Sequence, residues 1–462
     1  MDLAHVVVLM LENRSFDSML GKLHDAGPGF DGLTGNESNI WHRADGEQAV
    51  PVWNDPGMTS ATATIPDPDP GEKFTDIAVQ LHGLHQDAPM GGFVDNYMRQ
   101  PPAHAAYNPR AVMHYFTPGQ VPVLSELATA FGVSDRWFAS APCQTWPNRF
   151  FAHCGTAGGW VNNTPAHFPY EMPTVFNLLE AADQNWRVYF QDIPQAATLS
   201  RLWPGAERHF RRFNSFADDA AKGALPAYSF IEPRYFTDML LGTIPDDQHP
   251  PHAIGYGEQL IASVYNAVRG GPHWRQTLLL ITYDEHGGCY DHVLPPAATP
   301  PGGPYPDGFA FDRLGVRVPA VIVSPHMQAG RIVRPSGPAP FDHTSIIATL
   351  RRRFSLGPLT ARDAAAPELI SLLDDSVLND GPGSIAAPEP PTSATAVAAA
   401  RARPPNDLQA SLAVAAAHLP TKSADIGTHR RRIAAAPVPV HAELAATAES
   451  VTAHVKAFLG EL

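Results

Sequence analysis

Apolar residues occur in short continuous runs that are separated by stretches of helical periodicity. The runs are rich in β-branched residues and too short to form helices, so they predict buried strands. They do not alternate apolar and polar positions, which is typical of parallel strands covered on both faces. The predicted strands are HVVVLML (5–11), RVYFQDI (187–193), YSFIEP (228–233), TLLLITYDE (277–285) and VPAVIVSP (318–325).

Helical patterns lie between or after several of these strands, at 173–183, 257–269 and 344–354. Strands that alternate with helices predict an α/β fold with a mainly parallel sheet flanked by helices. In such folds ligands bind beyond the carboxyl ends of the strands. Chemistry is therefore expected where the predicted strands end.

The remaining sequence divides the chain into regions. Stretches 22–110 and 289–317 are rich in Gly, Pro and Asp and lack periodicity, as functional loops often do. After residue 375 the composition changes to Ala, Pro and Ser, which predicts a core domain at 1–375, a linker at 376–404 and a helical tail at 405–462.

The tail is expected to be a helical appendage that packs on the core without supplying catalytic groups. Residues 408–419 and 440–462 have helical patterns. The residues expected to share one apolar face are Val451, Val455, Phe458, Leu459 and Leu462.

Charge and composition exclude several classes of function. The 462 residues contain 32 basic and 46 acidic side chains, for a net charge of −14, which disfavours a nucleic-acid binder or an anionic-membrane binder. No apolar stretch reaches the length of a transmembrane helix. Three cysteines without a CxxC pair do not make a disulfide framework. The start has no basic region and no cleavage site, so we expect a cytoplasmic chain or a mature secreted form that lacks its leader.

Two predicted strands end in possible metal ligands. Glu12 and Asn13 follow the first strand, and either a hard-oxygen metal site or a helix cap explains them. The fourth strand ends in Asp284, Glu285 and His286, followed by two glycines that allow close backbone approach. A solvated polar turn is the alternative at this second position.

The later motif Asp342-His343-Thr344 precedes a predicted helix. The simplest explanation of Asp342 or Thr344 is therefore that one of them caps this helix. Beside it, His343 is a candidate for the same site. His249 and His252 in DDQHPPH are further candidates to hold phosphate oxygens or to protonate a leaving group.

Thr145 is the candidate nucleophile. It stands two residues before Pro147, and proline favours the first turn of a helix. The N–H groups of a helix start favour an anion such as a phosphate under attack. A threonine hydroxyl needs activation by a metal or base, and a plain N-cap is the alternative for Thr145.

Several motifs together resemble one protein family. They are ENRSFD (12–17), PDPDPGE (66–72), GGFVDNY (91–97), TWPNR (145–149), FIEPRYF (230–236), DEHGG (284–288), YDHV (290–293) and FDHTS (341–345). In this order they closely resemble the bacterial, fungal and plant phosphoesterase family. That family contains non-specific or phosphatidylcholine-preferring phospholipases C and a group of acid phosphatases.

The resemblance implies an alkaline-phosphatase-like catalytic domain over 1–375 with one divalent cation, either Ca²⁺, Mg²⁺, Mn²⁺ or Zn²⁺. Thr145 would be the nucleophile and would pass through a phospho-threonine intermediate. The residues that would bind the metal are Glu12, Asn13, Thr145, Asp284 and Glu285. The residues that would surround the phosphate or contact substrate are His249, His252, His286, His343, Glu72 and Asn148.

One position departs from the family pattern. Many relatives read DPGH where this chain reads Asp69-Pro70-Gly71-Glu72. A carboxylate there repels a doubly charged monoester but would favour a diester with a cationic headgroup, and Trp146 or Tyr97 is a possible aromatic partner. The leading hypothesis is a phospholipase C-type enzyme acting on phospholipid. The alternatives are a broad acid phosphatase and, from another class, an inactive metal-binding scaffold.

Overall fold

A computed structural model of the chain describes residues 3–86, 88–101, 107–422, 424–435 and 447–461. The start of the second predicted tail helix, 440–446, and Leu462 on its predicted apolar face lie outside these residues.

The described elements follow the predicted alternation. The strands are β1 His5–Leu11, β2 Ser38–Arg43, β3 Gly46–Pro51, β4 Gly132–Ser134, β5 Trp186–Phe190, β6 Phe210–Arg212, β7 Tyr228–Ile231, β8 Thr277–Tyr283, β9 Ala320–Val323 and β10 Arg331–Ile332. The helices are α1 Phe16–Leu20, α2 Phe74–His82, α3 Phe93–Tyr97, α4 Pro122–Ala130, α5 Thr145–Cys154, α6 Val175–Ala181, α7 Ala206–His209, α8 Asn214–Ala221, α9 Ile254–Gly270, α10 Thr344–Phe354, α11 Ala361–Ala365, α12 Ala394–Arg401, α13 Asp407–Ala417, α14 Ile426–Ala435 and α15 Ala448–Leu459.

The central sheet has the strand order β10-β4-β9-β8-β1-β7-β5-β6. Strand β1 lies between β8 and β7 and is parallel to both. Every residue of β1 and β8 is buried, as expected for central strands covered on both faces. The predicted α/β fold with a mainly parallel sheet flanked by helices is confirmed.

Strand β9 differs from the expectation of a parallel strand, since it is antiparallel to both β8 and β4. Residues 284–319 are all described and contain no helix or strand. Parallel neighbours need a crossover connection, usually a helix, so a chain returning without one enters the sheet in the opposite direction. The apolar run at 318–325 encodes the burial of β9 and not its direction.

The predicted loop 22–110 contains more structure than its composition indicates, because it forms the β2–β3 hairpin as well as α2 and α3.

The Ala/Pro-rich segment 376–404 packs against helix α9. The Tyr265 hydroxyl donates to the Pro382 carbonyl at 2.5 Å, and Asn266 Nδ2 donates to the Ile385 carbonyl at 3.0 Å.

The tail packs as predicted. The four described members of its expected apolar face, which are Val451, Val455, Phe458 and Leu459, are buried in the main core cluster. None of the helices in the described part of the chain is both long and apolar enough to cross a bilayer.

Three acidic residues that are not predicted metal ligands, Asp17, Asp31 and Asp291, belong to a separate ion-pair network. Buried Arg317 donates to Asp17 and to Asp291, at 2.9 Å each. His292 Nδ1 lies 2.6 Å from Asp17 Oδ2, and Nε2 lies 3.2 Å from Asp31 Oδ1. The guanidinium and the imidazole therefore satisfy these carboxylates and tie the 284–317 loop to α1.

This network predicts a specific pH dependence of stability. Burial by itself lowers the pKa of His292, but hydrogen bonds to Asp17 and Asp31 outweigh it and raise the value to about 10. A histidine whose pKa is raised by folding stabilises the folded state fully at pH values below its unfolded pKa of about 6.5. This stabilisation is lost as the pH rises through the folded pKa. The loss in unfolding free energy caused by His292→Gln should therefore be larger at pH 6 than at pH 10, measured by urea denaturation. An equal loss at both pH values would contradict a charged His292.

Candidate active site

The register of two central strands brings the predicted ligands together. Leu11 at the end of β1 pairs with Tyr283 at the end of β8. The residues that follow, Glu12 and Asn13 on one strand and Asp284 and Glu285 on the other, are fully buried at the same sheet edge. The Asn13 backbone N–H donates to Asp284 Oδ1 at 3.0 Å, which joins the two strand ends directly.

The first glycine of the DEHGG motif permits this approach. Gly287 has φ +60°, in the left-handed region that favours glycine. A Cβ at this position would lie 2.2 Å from the Asn13 carbonyl oxygen, so another residue here would push the two loops apart. The glycine therefore allows close contact with the Asn13 backbone, while approach of this motif to a ligand stays a prediction.

Thr145 is the first residue of α5, with Gln144 as the N-cap. The Thr145 hydroxyl makes its hydrogen bonds across the site, to Glu12 Oε2 at 3.2 Å and Asn13 Oδ1 at 3.4 Å. The side chain therefore does not cap its own helix, and the N-cap alternative does not hold. The helix start places the hydroxyl among the side chains at the strand ends.

Asn148 shapes the loop that delivers Thr145. Its Oδ1 accepts from the Ala141 N–H at 3.0 Å, and its Nδ2 lies 2.7 Å from the Cys143 carbonyl and 3.2 Å from those of Ala141 and Gln144. Donor and acceptor of this amide are thus engaged with residues 141–144. The predicted contact of Asn148 with substrate stays a prediction, while the loop contacts make it a positioning residue.

Arg149 is a site residue that the sequence reasoning missed. It is fully buried, and its Nη2 pairs with Glu12 Oε1 and donates to the Met10 carbonyl at 2.9 Å. It follows Thr145 by four residues, so both project from the same face of α5. That spacing within TWPNR was the signal available in the sequence. The pair fixes one oxygen of Glu12 and leaves the other towards Thr145.

The carboxylates at the strand ends are short of hydrogen-bond donors. Burial raises the pKa of Glu12 well above its usual value, and Arg149 offsets this only in part. Burial, followed by the nearby carboxylates of Glu72 and Asp284, raises the pKa of Glu285 in the same direction. Asp284 Oδ2 and Glu285 Oε1 are buried with no hydrogen-bond partner.

Buried carboxylate oxygens without partners are costly unless a cation or donor satisfies them. Asn13 Oδ1 and Thr145 Oγ1 lie 3.4 Å apart, and like these carboxylate oxygens they are donors of the kind that hard divalent cations prefer. The chemistry of these donors therefore suits a divalent cation, and their assignment as its ligands stays a prediction. Among the described residues, the groups of three His or acidic side chains whose ligand atoms lie within 4.8 Å of one another are Asp69, Glu72 and His249, and Asp17, Asp291 and His292.

Two of the four predicted histidines hold the ligand loops in place. His343 Nε2 lies 2.6 Å from the Asp284 carbonyl, and its Nδ1 accepts from Trp137 Nε1 at 3.3 Å, which defines a neutral ring protonated at Nε2. His286 Nε2 donates to Gln80 Oε1 at 2.7 Å, and its Nδ1 lies 3.1 Å from Glu285 Oε2. Burial lowers the pKa of both rings.

The N-cap residue of α10 is His343, and Asp342 lies one residue before it and accepts from the first N–H of the helix. Asp342 Oδ1 accepts from the Thr344 N–H at 2.8 Å, and Asp342 Oδ2 pairs with Arg362 at 2.9 Å.

His249 joins the two carboxylates of the DPGE segment. Its Nε2 lies 3.3 Å from Glu72 Oε1, and its Nδ1 lies 3.7 Å from Asp69 Oδ1. Burial alone lowers the pKa of His249, but the carboxylates raise it well above its usual value. Glu72 Oε1 also accepts from Asn13 Nδ2 at 2.7 Å, so the departure from the family pattern is linked directly to a predicted ligand.

His252 has a different environment. Its Nδ1 lies 2.7 Å from Asp247 Oδ1, which orients the ring, and His252 lines the neighbouring cavity. The rings of His249 and His252 are 6.0 Å apart. An Asp-oriented histidine is a common arrangement for moving a proton.

A cavity of about 660 Å³ opens beside these residues. Its lining contains more carboxylates than basic groups, namely Asp67, Asp69, Glu72, Asp76 and Asp407 against Lys73, Arg401 and Arg403. The aromatic side chains on its wall are Tyr107 and Phe236. Trp146 and Tyr97, the aromatic partners considered from the sequence, are buried and do not line it, although Tyr97 packs against Tyr107 from behind.

The linker and the tail together form one wall of this cavity. Arg403 pairs with Asp67 at 3.1 Å, and Lys73 pairs with Asp407 at 3.3 Å. The appendage expected only to support the core thus also borders the space next to the candidate site.

Comparison with known proteins identifies the family to which this chain belongs. A family model described as the Phosphoesterase family matches residues 3–357. Non-specific phospholipase C1 of Arabidopsis thaliana is 40% identical over 385 residues, which cover 78% of this chain and 69% of that protein. Phospholipase C B of Mycobacterium tuberculosis is 29% identical over 423 residues, covering 80% and 77%.

Among solved structures, a protein in the alkaline phosphatase superfamily from Vibrio parahaemolyticus is similar with a TM-score of 0.31 and 12% identity, over 53% of this chain and 64% of that chain. The match to the family model spans the motifs from which the resemblance was inferred, from ENRSFD to FDHTS. The family prediction is confirmed: this chain belongs to the phosphoesterase family and is a hydrolase of phosphoester bonds.

Proposed function

We propose that this protein is a phospholipase C-type phosphodiesterase that cleaves a phospholipid into diacylglycerol and a phosphorylated headgroup. The observation that carries the proposal is the Thr145 hydroxyl, held at a helix start against Glu12 and Asn13 and beside buried carboxylates without partners. Relatives at up to 40% identity are named phospholipases C.

In the first half-reaction Thr145 Oγ attacks phosphorus. A bond from Oγ to phosphorus forms and the bond from phosphorus to the glycerol oxygen breaks, while the Thr145 hydroxyl proton passes to Glu12 Oε2. The intermediate is a phospho-threonine that still carries the headgroup. The N-terminus of α5 favours the negative phosphoryl group. Arg149 holds Glu12, and His343 holds the Asp284 backbone, so the side chains around the phosphate do not have to reorganise.

We propose that Glu12, Asn13, Thr145, Asp284 and Glu285 bind one divalent cation. When bound, such an ion lowers the pKa of the attacking hydroxyl and neutralises charge on a phosphoryl oxygen. The oxygen-only donor set favours Ca²⁺, Mg²⁺ or Mn²⁺ over Zn²⁺.

His252 is the histidine that the geometry favours as proton donor to the leaving glycerol oxygen. It lines the cavity, and Asp247 orients its ring. His286 and His343 are engaged through both ring nitrogens, and His249 lies between two carboxylates. In the second half-reaction water attacks phosphorus, the bond from phosphorus to Thr145 Oγ breaks, and the phosphorylated headgroup leaves. His252 accepts the proton of the water, and Glu12 returns a proton to Thr145 Oγ.

The composition of the cavity favours a diester with a cationic headgroup. Carboxylates outnumber basic groups on its wall, and Tyr107 and Phe236 provide aromatic faces. A doubly charged monoester meets repulsion from the same carboxylates.

The test compares kcat/KM for a soluble phosphocholine diester and a simple phosphomonoester, in the wild type and in Glu72→Gln. We expect the wild type to prefer the diester, and Glu72→Gln to reduce this preference about threefold or more by removing one carboxylate. Glu126→Gln, at an exposed position on α4, is the matched control and should leave the ratio unchanged. A wild-type preference for the monoester would reject the diesterase proposal in favour of a phosphatase. An unchanged ratio in Glu72→Gln would reject the role of Glu72.

A further inference from the structure

Three consecutive apolar side chains project into solvent on the loop between β7 and α9. The exposed fractions are 46% for Met239, 85% for Leu240 and 76% for Leu241. We call residues 239–241 the apolar tip. The other exposed large apolar side chains in the described part of the chain, Ile40, Leu294 and Leu378, stand singly. Contiguous apolar exposure of this kind marks an interaction surface more often than isolated leucines do.

The turn that presents the apolar tip is well formed. The backbones of Asp238 and Thr243 exchange two hydrogen bonds, of 2.9 and 3.0 Å. Asp238 Oδ1 accepts from the N–H groups of Leu240 and Leu241 at 2.8 and 2.9 Å. Two N–H groups of the tip are therefore already satisfied, which lowers the cost of moving this backbone into a less polar medium.

The apolar tip is connected to the candidate active site on both sides. Phe236 and Thr237, which precede the hairpin, line the cavity. After the hairpin the chain reaches Asp247 and His252, the proposed proton donor and its partner. The two ends of this loop are joined by Arg234 and Asp246. The Arg234 guanidinium pairs with the Asp246 carboxylate at 3.3 Å, and the Arg234 backbone N–H donates to the same carboxylate at 2.6 Å. The tip therefore projects from the segment that forms one wall of the cavity.

We propose that the apolar tip inserts into the surface of a zwitterionic phospholipid bilayer and brings the cavity to its lipid substrate. The inference rests on the proposed function, because a lipid substrate is held in a bilayer and has to be reached at that surface. Three side chains are far too few for a stable protein–protein interface, which needs about 800 Å² on each partner. Shallow insertion of a few large apolar side chains is sufficient for reversible binding to the interfacial region of a membrane. The net charge of −14 favours a zwitterionic surface over an anionic one.

The test replaces two residues of the tip, in Leu240→Ser/Leu241→Ser. Binding to phosphatidylcholine vesicles is measured by sedimentation in the Thr145→Ala background, to prevent lipid turnover. We expect the partition coefficient to fall by about tenfold or more, since losing burial of about two methylene groups already changes an equilibrium tenfold. In the background with Thr145 intact, the ratio of vesicle turnover to turnover of a monomeric short-chain diester should fall by a similar factor.

Leu378→Ser is the matched control, because Leu378 is 64% exposed but lies elsewhere. Its neighbour Asn379 bonds to the Pro325 carbonyl, and His326 bonds to the carbonyl of Arg275, which precedes β8 at the sheet edge opposite the site. This variant should leave vesicle binding and the turnover ratio unchanged.

Equal vesicle binding by the wild type and the tip variant would overturn the inference. A tip variant that loses turnover of vesicle lipid and of the monomeric short-chain diester by the same factor would also overturn it. So would a tip variant whose only change is loss of protein self-association in gel filtration. Failure of the wild type to cleave either diester would instead reject the proposed function, and the sedimentation result would still decide the role of the tip.

Discussion

Replacing Thr145 by alanine is expected to lower kcat by about a thousandfold or more while the protein remains folded. The reason is that the substitution removes the attacking oxygen but no large part of the core. The hydroxyl makes two long hydrogen bonds, at 3.2 and 3.4 Å, so its loss should change the melting temperature little. Steady-state kinetics with a phosphocholine diester and circular dichroism would measure the two effects.

Thr145→Ser is the matched control, because it keeps a hydroxyl at the start of α5 and should retain measurable turnover. Acid quenching of the wild type during turnover should trap phosphate on the peptide that contains Thr145. A folded Thr145→Ala variant with more than about a tenth of wild-type kcat would exclude covalent catalysis by this residue.

Replacing Asp284 by asparagine is expected to have opposite effects on the metal-free and metal-loaded protein. Without metal, Asp284 is a buried carboxylate beside Glu12, with Oδ2 unpartnered. Neutralising it should raise the melting temperature of the chelated protein by about 2 °C or more. A cation that binds only the folded state stabilises that state by mass action. Because the variant lacks one proposed ligand, it should lose most of the stabilisation that a divalent cation gives the wild type.

Thermal unfolding with chelator and with added Ca²⁺, Mg²⁺ or Mn²⁺ measures both effects independently of activity. Asp312→Asn, at an exposed position of the 289–317 loop, is the control and should respond to cation like the wild type. Chelator should also abolish phosphodiesterase activity, and one of these cations should restore it. Active protein without bound metal in elemental analysis would contradict the metal proposal.

The sequence alone predicted the parts of the site that depend on local pattern. Apolar runs ended at Glu12-Asn13 and Asp284-Glu285, and carboxyl ends of neighbouring parallel strands meet at one edge. The register between Leu11 and Tyr283 brings these groups into contact, as that rule requires. Pro147 similarly placed Thr145 at a helix start, since proline fits the first turn and nowhere deeper.

The roles of the individual histidines were not accessible in the same way. His252, His286 and His343 all stand near predicted strand or helix ends, and nothing local distinguishes them. Their roles differ because Gln80 and Trp137, which are distant in sequence, satisfy ring nitrogens of His286 and His343, whereas His252 is bonded to Asp247 five residues away. A long-range hydrogen bond leaves no periodic signal, so only tertiary structure separates a histidine that borders the cavity from one that holds a loop.

What the sequence by itself determined is therefore the family, the α/β fold and the residues carried by the ends of its central strands and α5. Tertiary structure decided the direction of β9, the pairing of Arg149 with Glu12, and the contribution of the linker and tail to the cavity wall. The physical reason is the range of the interactions. Burial and helix starts are encoded within a few neighbouring residues, whereas strand direction, buried ion pairs and cavity walls depend on contacts between distant segments that exist only after the chain has folded.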